Sequence, residues 1–256
     1  MRSLVAGLGL VGLALSAPAQ APPDRITPAT VGRLAVAWSY DTRESTEPLR
    51  PGTDAPSFEA TPVYADDLLY LSTPGGLVIA LDAQTGKEVW RVDLKIRRNA
   101  NYSDFASRGV AVADHFIYAA TVDARLVCLN RSDGSTCTRF GARGEIDLTA
   151  GLRRKPEYVG EYGVTSPPAM YRDLVIVGSS VADNSRSRMA SGEVRAFDRL
   201  SGALRWTFHP LPEGANAGGA NTWAPITVDE TNGLVFLPTG SPSPDYFGGL
   251  RPGDNR

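Results

Sequence analysis

The chain has 256 residues, 42% of them hydrophobic and 21% charged, with a formal net charge of -2. That is enough apolar material for a packed core, and nothing in the composition marks disorder. The near-neutral balance excludes the broad basic field of a nucleic-acid binder, and the short runs Lys95-Ile96-Arg97-Arg98 and Arg153-Arg154-Lys155 read as solvated turns.

In chain order, Arg2 precedes an apolar run over 4–15, followed by Ser16-Ala17-Pro18-Ala19-Gln20-Ala21, the form of a secretory signal. Cleavage after Ala19 or after Ala21 satisfies the A-x-A pattern; Ala19 is preferred, since Pro22 makes a poor first residue. An uncleaved anchor is the rival reading, but the run is shorter than the roughly 20 residues that cross a bilayer. A periplasmic protein is expected, soluble or at most peripherally attached to a membrane. Within the signal, Gly7-Leu8-Gly9-Leu10-Val11-Gly12 matches a dinucleotide motif, but no βαβ context surrounds it and the match is discarded.

From residue 61 short strands recur between Asp/Gly turns, which makes internal repeats the first question. The first block predicts strands at 61–65, 68–73, 77–83 and 88–93, and four such antiparallel strands make one propeller blade. The second predicts strands at 109–113, 116–121, 125–130 and 135–140. Cys128 and Cys137 fall across its hairpin, and export permits a disulfide. A bridge and a pair of buried thiols both fit the spacing. A third block carries 174–179, a polar excursion over 182–191, then 194–198 and 203–209. A fourth starts at Ile226 and continues through 234–239. The fold class is therefore all-β: a β-propeller of four-stranded antiparallel blades, here about three blades and part of another.

Two segments repeat best, from Ala80-Leu81-Asp82 to Thr85-Gly86 and Trp90, and from Ala196-Phe197-Asp198 to Ser201-Gly202 and Trp206; both read A-x-D-x-x-[ST]-G-x-x-x-W. The Gly permits a tight hairpin, the Asp can bond the turn backbone, and the Trp offers a flat surface to the next blade. The middle copy, around Asp133-Gly134, keeps the turn and lacks the Trp. This pattern resembles the tryptophan-docking motif of the quinoprotein dehydrogenases, which oxidise alcohols or sugars with pyrroloquinoline quinone (PQQ) on an eight-bladed propeller. The run Asp245-Tyr246-Phe247-Gly248-Gly249-Leu250-Arg251-Pro252-Gly253-Asp254-Asn255 further resembles the glucose, quinate and polyol dehydrogenase branch. On that resemblance residues 22–256 form an incomplete propeller of this kind.

The resemblance also implies a site. PQQ is a flat tricarboxylate and needs basic groups, an aromatic floor and a cation near its reactive carbonyl. Glu59, just before the first blade, matches the acidic or amide side chain that bonds the quinone. Arg108, before the second, matches the arginine that pairs with a cofactor carboxylate. Thr165 and Ser166, opening the third, match quinone-bonding hydroxyls. Asp183 in the polar excursion matches a calcium-binding carboxylate, with Ser241 where methanol dehydrogenases have an asparagine. Trp223, at the entrance to the fourth block, matches the tryptophan on which the quinone stacks. The adjacent cysteine pair of methanol dehydrogenases is absent from the stretch around Arg108, which argues against that branch.

What the resemblance implies is hydride transfer from an alcohol, sugar or polyol to the quinone, with Ca2+ or Mg2+ as Lewis acid and electrons passed to a membrane quinone or a cytochrome. The aspartate base of relatives would lie beyond Arg256, so the chain is expected to be truncated and inactive alone. His115 and His209 have no catalytic spacing and are expected on the surface or in packing roles. The alternative is a non-catalytic periplasmic propeller that binds or scaffolds, because docking motifs specify blade packing and not chemistry.

Overall fold

The computed structural model describes residues 26–48, 51–53 and 55–250. The expected signal, 1–19, and the last part of the closing run, 251–255, lie outside them. Residues 26–37 belong to one compact unit, a 3-10 turn at Val31–Arg33 started by Thr27 and Thr30. Residues from Trp38 onward belong to a second, which holds the strands. No helix among the described residues is long and apolar enough to cross a membrane.

Three antiparallel sheets of four strands follow one another. The first blade is Val63–Ala65, Leu68–Ser72, Leu77–Asp82 and Glu88–Asp93, paired in sequence order. The second is Ala111–Ala113, Phe116–Ala120, Arg125–Asn130 and Glu145–Asp147; the third is Ala169–Tyr171, Leu174–Val177, Val194–Asp198 and Leu204–Phe208. A fourth hairpin joins Thr227–Asp229 to Leu234–Phe236.

The central strands read as nearly continuous apolar runs because each is covered on both faces, and the two-residue strand period divides its side chains between two neighbours. Leu71, Ile79 and Leu81 pack with Trp38 and Tyr40. Tyr70, Val78 and Ala80 pack with Ile117, Ala119, Val127 and Leu129 of the second blade. Tyr118, Leu126 and Cys128 meet Val175, Val177 and Phe197 of the third. Ile176, Val194 and Ala196 complete the series against Ile226, Val235 and Leu237.

The docking motif acts across these interfaces. Trp38 Nε1 donates to the Ala83 carbonyl at 3.2 Å and Trp90 Nε1 to the Arg131 carbonyl at 3.1 Å, equivalent turn positions of the first and second blades. Gly86 and Gly134 lie under those indoles: each has positive φ, +69° and +72°, and a Cβ there would come within 2.5 Å of Trp38 and 2.8 Å of Trp90. The second blade lacks the tryptophan. Tyr118, on a different strand, takes over the bond and donates to the Arg199 carbonyl at 2.7 Å, while Ile146 and Gly141 fill the space against Gly202. Burial pushes the Tyr118 hydroxyl up to about 12. Ion pairs repeat across the same interfaces, Arg131 with Asp66 and Arg199 with Asp114.

The expected outer strand at 135–140 is corrected. Only Thr136 bridges to Leu129; the chain then turns through 138–144 and rejoins the sheet at Glu145–Asp147, opposite Arg125–Val127. Phe140, inside that turn, is fully buried and packs on Tyr118 with ring centres 5.7 Å apart, which draws the chain away from the outer-strand path. At the base of this excursion Cys128 and Cys137 form a disulfide, with Cα atoms 5.4 Å apart. Of the two arrangements left open by spacing, the bridge is the one found.

Candidate functional site

The segments leading into successive blades are tied to one another. Ser57–Phe58 pairs in parallel with Ala106–Ser107, Arg108 N donates to the Thr165 carbonyl at 2.9 Å, and Ser179 N donates to the Thr222 carbonyl at 2.9 Å. Residues 43 to 57 positions apart therefore converge, and the expected site residues ride on this lattice.

Arg108 is its centre. Its guanidinium pairs with Glu59 at 2.8 Å and with Asp104 at 3.3 Å, and lies 5.2 Å from the centre of the Trp223 ring. The Arg108 side chain is mostly buried, so these charges are weakly screened. Glu59 also accepts from Ser57 Oγ at 2.7 Å. Ser166 Oγ donates to the Trp223 carbonyl, as does Thr165 Oγ1 at 3.4 Å. Both hydroxyls thus anchor the Trp223 backbone, a role their sequence position did not suggest. Trp223 itself keeps 46% of its surface exposed.

An open cleft of about 520 Å³ runs from Trp223 and Asp104 to Asp183, Asn221 and Asp245. Burial and the neighbouring Asp245 carboxylate hold the Asp183 carboxyl above its ordinary range, at about 6. Asn221 is buried and donates from Nδ2 to the Ser179 carbonyl at 3.0 Å, leaving Oδ1 buried with no hydrogen-bond partner. Ser241 lies close by: a Cβ on Gly219 would sit 3.2 Å from Asp183 Cβ and 3.3 Å from the Ser241 carbonyl oxygen. That carbonyl accepts from Ala220 N at 2.9 Å. The described residues hold no cluster of three His, Cys, Asp or Glu side chains that could grip a metal alone. What they offer is an incomplete oxygen set with an orphaned amide oxygen, suited to a hard cation whose shell is finished by another ligand.

The loop bearing Asp183 is held from below by Glu161. This carboxylate is fully buried and accepts from Ala190 N at 2.7 Å, Glu157 N at 2.8 Å and the Arg186 guanidinium at 2.9 Å. Glu161, Asp104, Asn221 and Asp245 were not among the expected site residues. All four stand within a few positions of residues that were, but nothing in a loop sequence tells which side chain turns inward.

The structure thus brings Glu59, Arg108, Thr165, Ser166 and Trp223 together, and places Asp183 on the cleft that Trp223 lines, with the Ser241 backbone close behind it. A flat polyanion fits this arrangement: a bidentate cation and an exposed ring at one end, oxygen donors for a cation at the other.

The family described as "PQQ: Glucose/ethanol/alcohol dehydrogenase, beta-propeller domain" matches residues 17–256. The quinoprotein glucose dehydrogenase of Escherichia coli is 32% identical over 90% of this chain and 32% of its own length. The glycerol dehydrogenase large subunit of Gluconobacter oxydans is 32% identical over 92% of this chain and 34% of its own. Among solved structures, the quinohemoprotein alcohol dehydrogenase of Comamonas testosteroni superposes with a TM-score of 0.70 at 25% identity, covering 91% of this chain and 35% of that one. The chain spans about a third of the length of the curated relatives it matches.

Proposed function

Since the chain belongs to the glucose/ethanol/alcohol dehydrogenase β-propeller family, on the branch of the quinoprotein glucose, quinate and glycerol dehydrogenases, we propose that its cleft holds PQQ with a divalent cation for oxidation of an alcohol, sugar or polyol. The observation that carries this reading is one cleft in which Trp223, with Arg108 over its ring, faces the oxygen donors Asp183 and Asn221. Bound there, the quinone would accept a hydride from a CH–OH carbon and the cation would act as Lewis acid.

The residues have distinct tasks. Arg108 holds a carboxylate through two parallel N–H bonds, and Glu59 and Asp104 orient the guanidinium for it. Trp223 presents a flat apolar face whose backbone is fixed by Ser166 and Thr165. Asp183 supplies the charged oxygen to the cation, Asn221 Oδ1 a neutral one, and Ser241 stands where a further oxygen can be offered. Calcium is the preferred cation on ligand type, with magnesium the other candidate. A membrane quinone or a cytochrome is the proposed electron acceptor, following the family resemblance. Export to the periplasm is proposed from the leading residues, and the Cys128–Cys137 disulfide supports an oxidising compartment.

The test is a tryptophan-fluorescence titration of the chain with PQQ, with and without Ca2+ or Mg2+, followed by dye-coupled oxidation of glucose, glycerol and quinate by the whole enzyme of this family type carrying these blades. Saturable, cation-dependent binding that Trp223→Ala abolishes is expected. Absence of PQQ binding with either cation overturns the reading.

A further inference from the structure

A second cleft, of about 420 Å³, lies between the 188–193 segment and the loop after the third blade, and shares no lining residue with the first. Arg153, Arg154 and Arg188 line it, and none of the three has a carboxylate partner among the described residues. Arg153 and Arg154 are splayed by bonds to backbone carbonyls, of Leu211 at 3.1 Å and of Ala215 at 3.2 Å. Arg188 is exposed. In the same cleft Glu193 is 2% exposed. Its Oε1 accepts from Arg153 N at 3.1 Å and lies 3.5 Å from His209 Nδ1, while its Oε2 is buried with no partner at all. The Arg153-Arg154 run lies in a solvent-facing bend, as expected of a solvated turn, and also forms one wall of a cavity of ligand size.

Two demands follow. Three guanidinium groups without an ion-pair partner among the described residues outnumber the two carboxylates of the lining, Glu193 and Glu213, and call for an anion. The buried, unpaired carboxylate oxygen calls for a hydrogen-bond donor, since leaving such an acceptor unmade is costly. An ammonium could donate, but the arginines set a positive field that opposes a second cation; a hydroxyl carries no such penalty. We propose that this cleft binds a small polyhydroxy carboxylate, its carboxylate held by the arginines and one hydroxyl donating to Glu193 Oε2. The site stands apart from the cofactor cleft and does not depend on how that cleft is read.

Isothermal titration of the full chain without added cofactor tests it, with gluconate, hexanoate, glucose, 6-aminohexanoate and inorganic phosphate as probes. Gluconate should bind about tenfold or more tightly than each of the others. Arg188→Ala, at an exposed side chain with no bonds to lose, should weaken gluconate and hexanoate alike. Glu193→Gln should reduce the preference for gluconate over hexanoate, because the charged acceptor of the hydroxyl becomes a neutral amide. Should Glu193→Gln fail to fold, the Arg188→Ala comparison decides alone. Loss of saturable gluconate binding in the parent chain, equal or tighter binding of phosphate, glucose or 6-aminohexanoate, or an Arg188→Ala variant with parental gluconate affinity each overturns the proposal.

Discussion

The guanidinium of Arg108 sits 5.2 Å from the centre of the Trp223 ring while bonded to Glu59 at 2.8 Å, although 115 positions separate the arginine and the tryptophan. Charge and aromatic face are therefore presented as one surface. Arg108→Lys keeps the charge but cannot make two parallel bonds to a carboxylate, and is expected to weaken PQQ binding by about tenfold. Fluorescence titration checks this, and a melting temperature within a few degrees of the parent, on the order of a surface change, confirms that the fold is intact.

Blade docking should respond in a graded way. Tyr118→Phe removes the bond to the Arg199 carbonyl and is expected to cost about 1–3 kcal/mol. Trp90→Ala removes both a bond and a large packed surface, and should cost about 3–5 kcal/mol. Gly134→Ala forces a Cβ toward Trp90 at a positive φ and should also destabilise. Denaturant midpoints at constant slope provide the measurement.

Reduction of Cys128–Cys137 releases a short loop, with a sequence separation of 9. Loop-entropy reasoning gives about 2–3 kcal/mol, or a fall of about 5–10 °C in melting temperature. Calorimetry with and without a reductant, and of the Cys128→Ala/Cys137→Ala pair, should agree.

The turn aspartates make the blades sensitive to acid. The hydroxyl and N–H of Thr85 hold the Asp82 carboxyl below its ordinary range; Asp198 is held lower still, by Arg205 and by Ser201. Because the folded values lie below the unfolded one, this stabilisation is complete above about pH 4 and is lost as pH falls through the folded values. Melting temperature should therefore drop on acidification below about pH 4, and Asp198→Asn should show a lower plateau and a shallower fall.

Glu161 is a buried charge that takes two of its three donors, Arg186 and Ala190 N, from the Asp183 loop and the third from Glu157 N. Glu161→Ala leaves the Ala190 and Glu157 N–H groups unpaired and Arg186 with Glu157 alone, and should cost about 3–5 kcal/mol. Glu161→Gln should cost less, yet raise amide exchange at Asp183 and Ala190 relative to the blade strands, as read by hydrogen exchange.

Much of the blade structure was legible because a strand covered on both faces writes itself as an apolar run bounded by Asp/Gly turns. Glu88–Asp93, Arg125–Asn130 and Val194–Asp198 carry the expected bounds. Ser135-Thr136-Cys137 has the same local signature, but Phe140 is drawn into the core and the strand breaks, a tertiary effect that local pattern does not encode. Trp38 stands before the first complete block, so its docking on Gly86 became visible only with the turn in place. In the site, Arg108 and Trp223 were named from the family resemblance, and the structure sets them 5.2 Å apart. Asp104 and Asn221 lie in the same short stretches and were not, because inward and outward side chains of an irregular segment follow no period.

The docking bonds all point one way along the chain. Trp38 seats on a carbonyl 45 residues later, Trp90 on one 41 residues later and Tyr118 on one 81 residues later. A blade leaving the ribosome therefore has its indole or phenol bare until its successor has been made, and closes only when the next turn arrives. Assembly has a direction, and the first and second blades are each sealed by the one synthesised after it. The greatest exposure to aggregation accordingly travels with the growing edge instead of residing in any single blade.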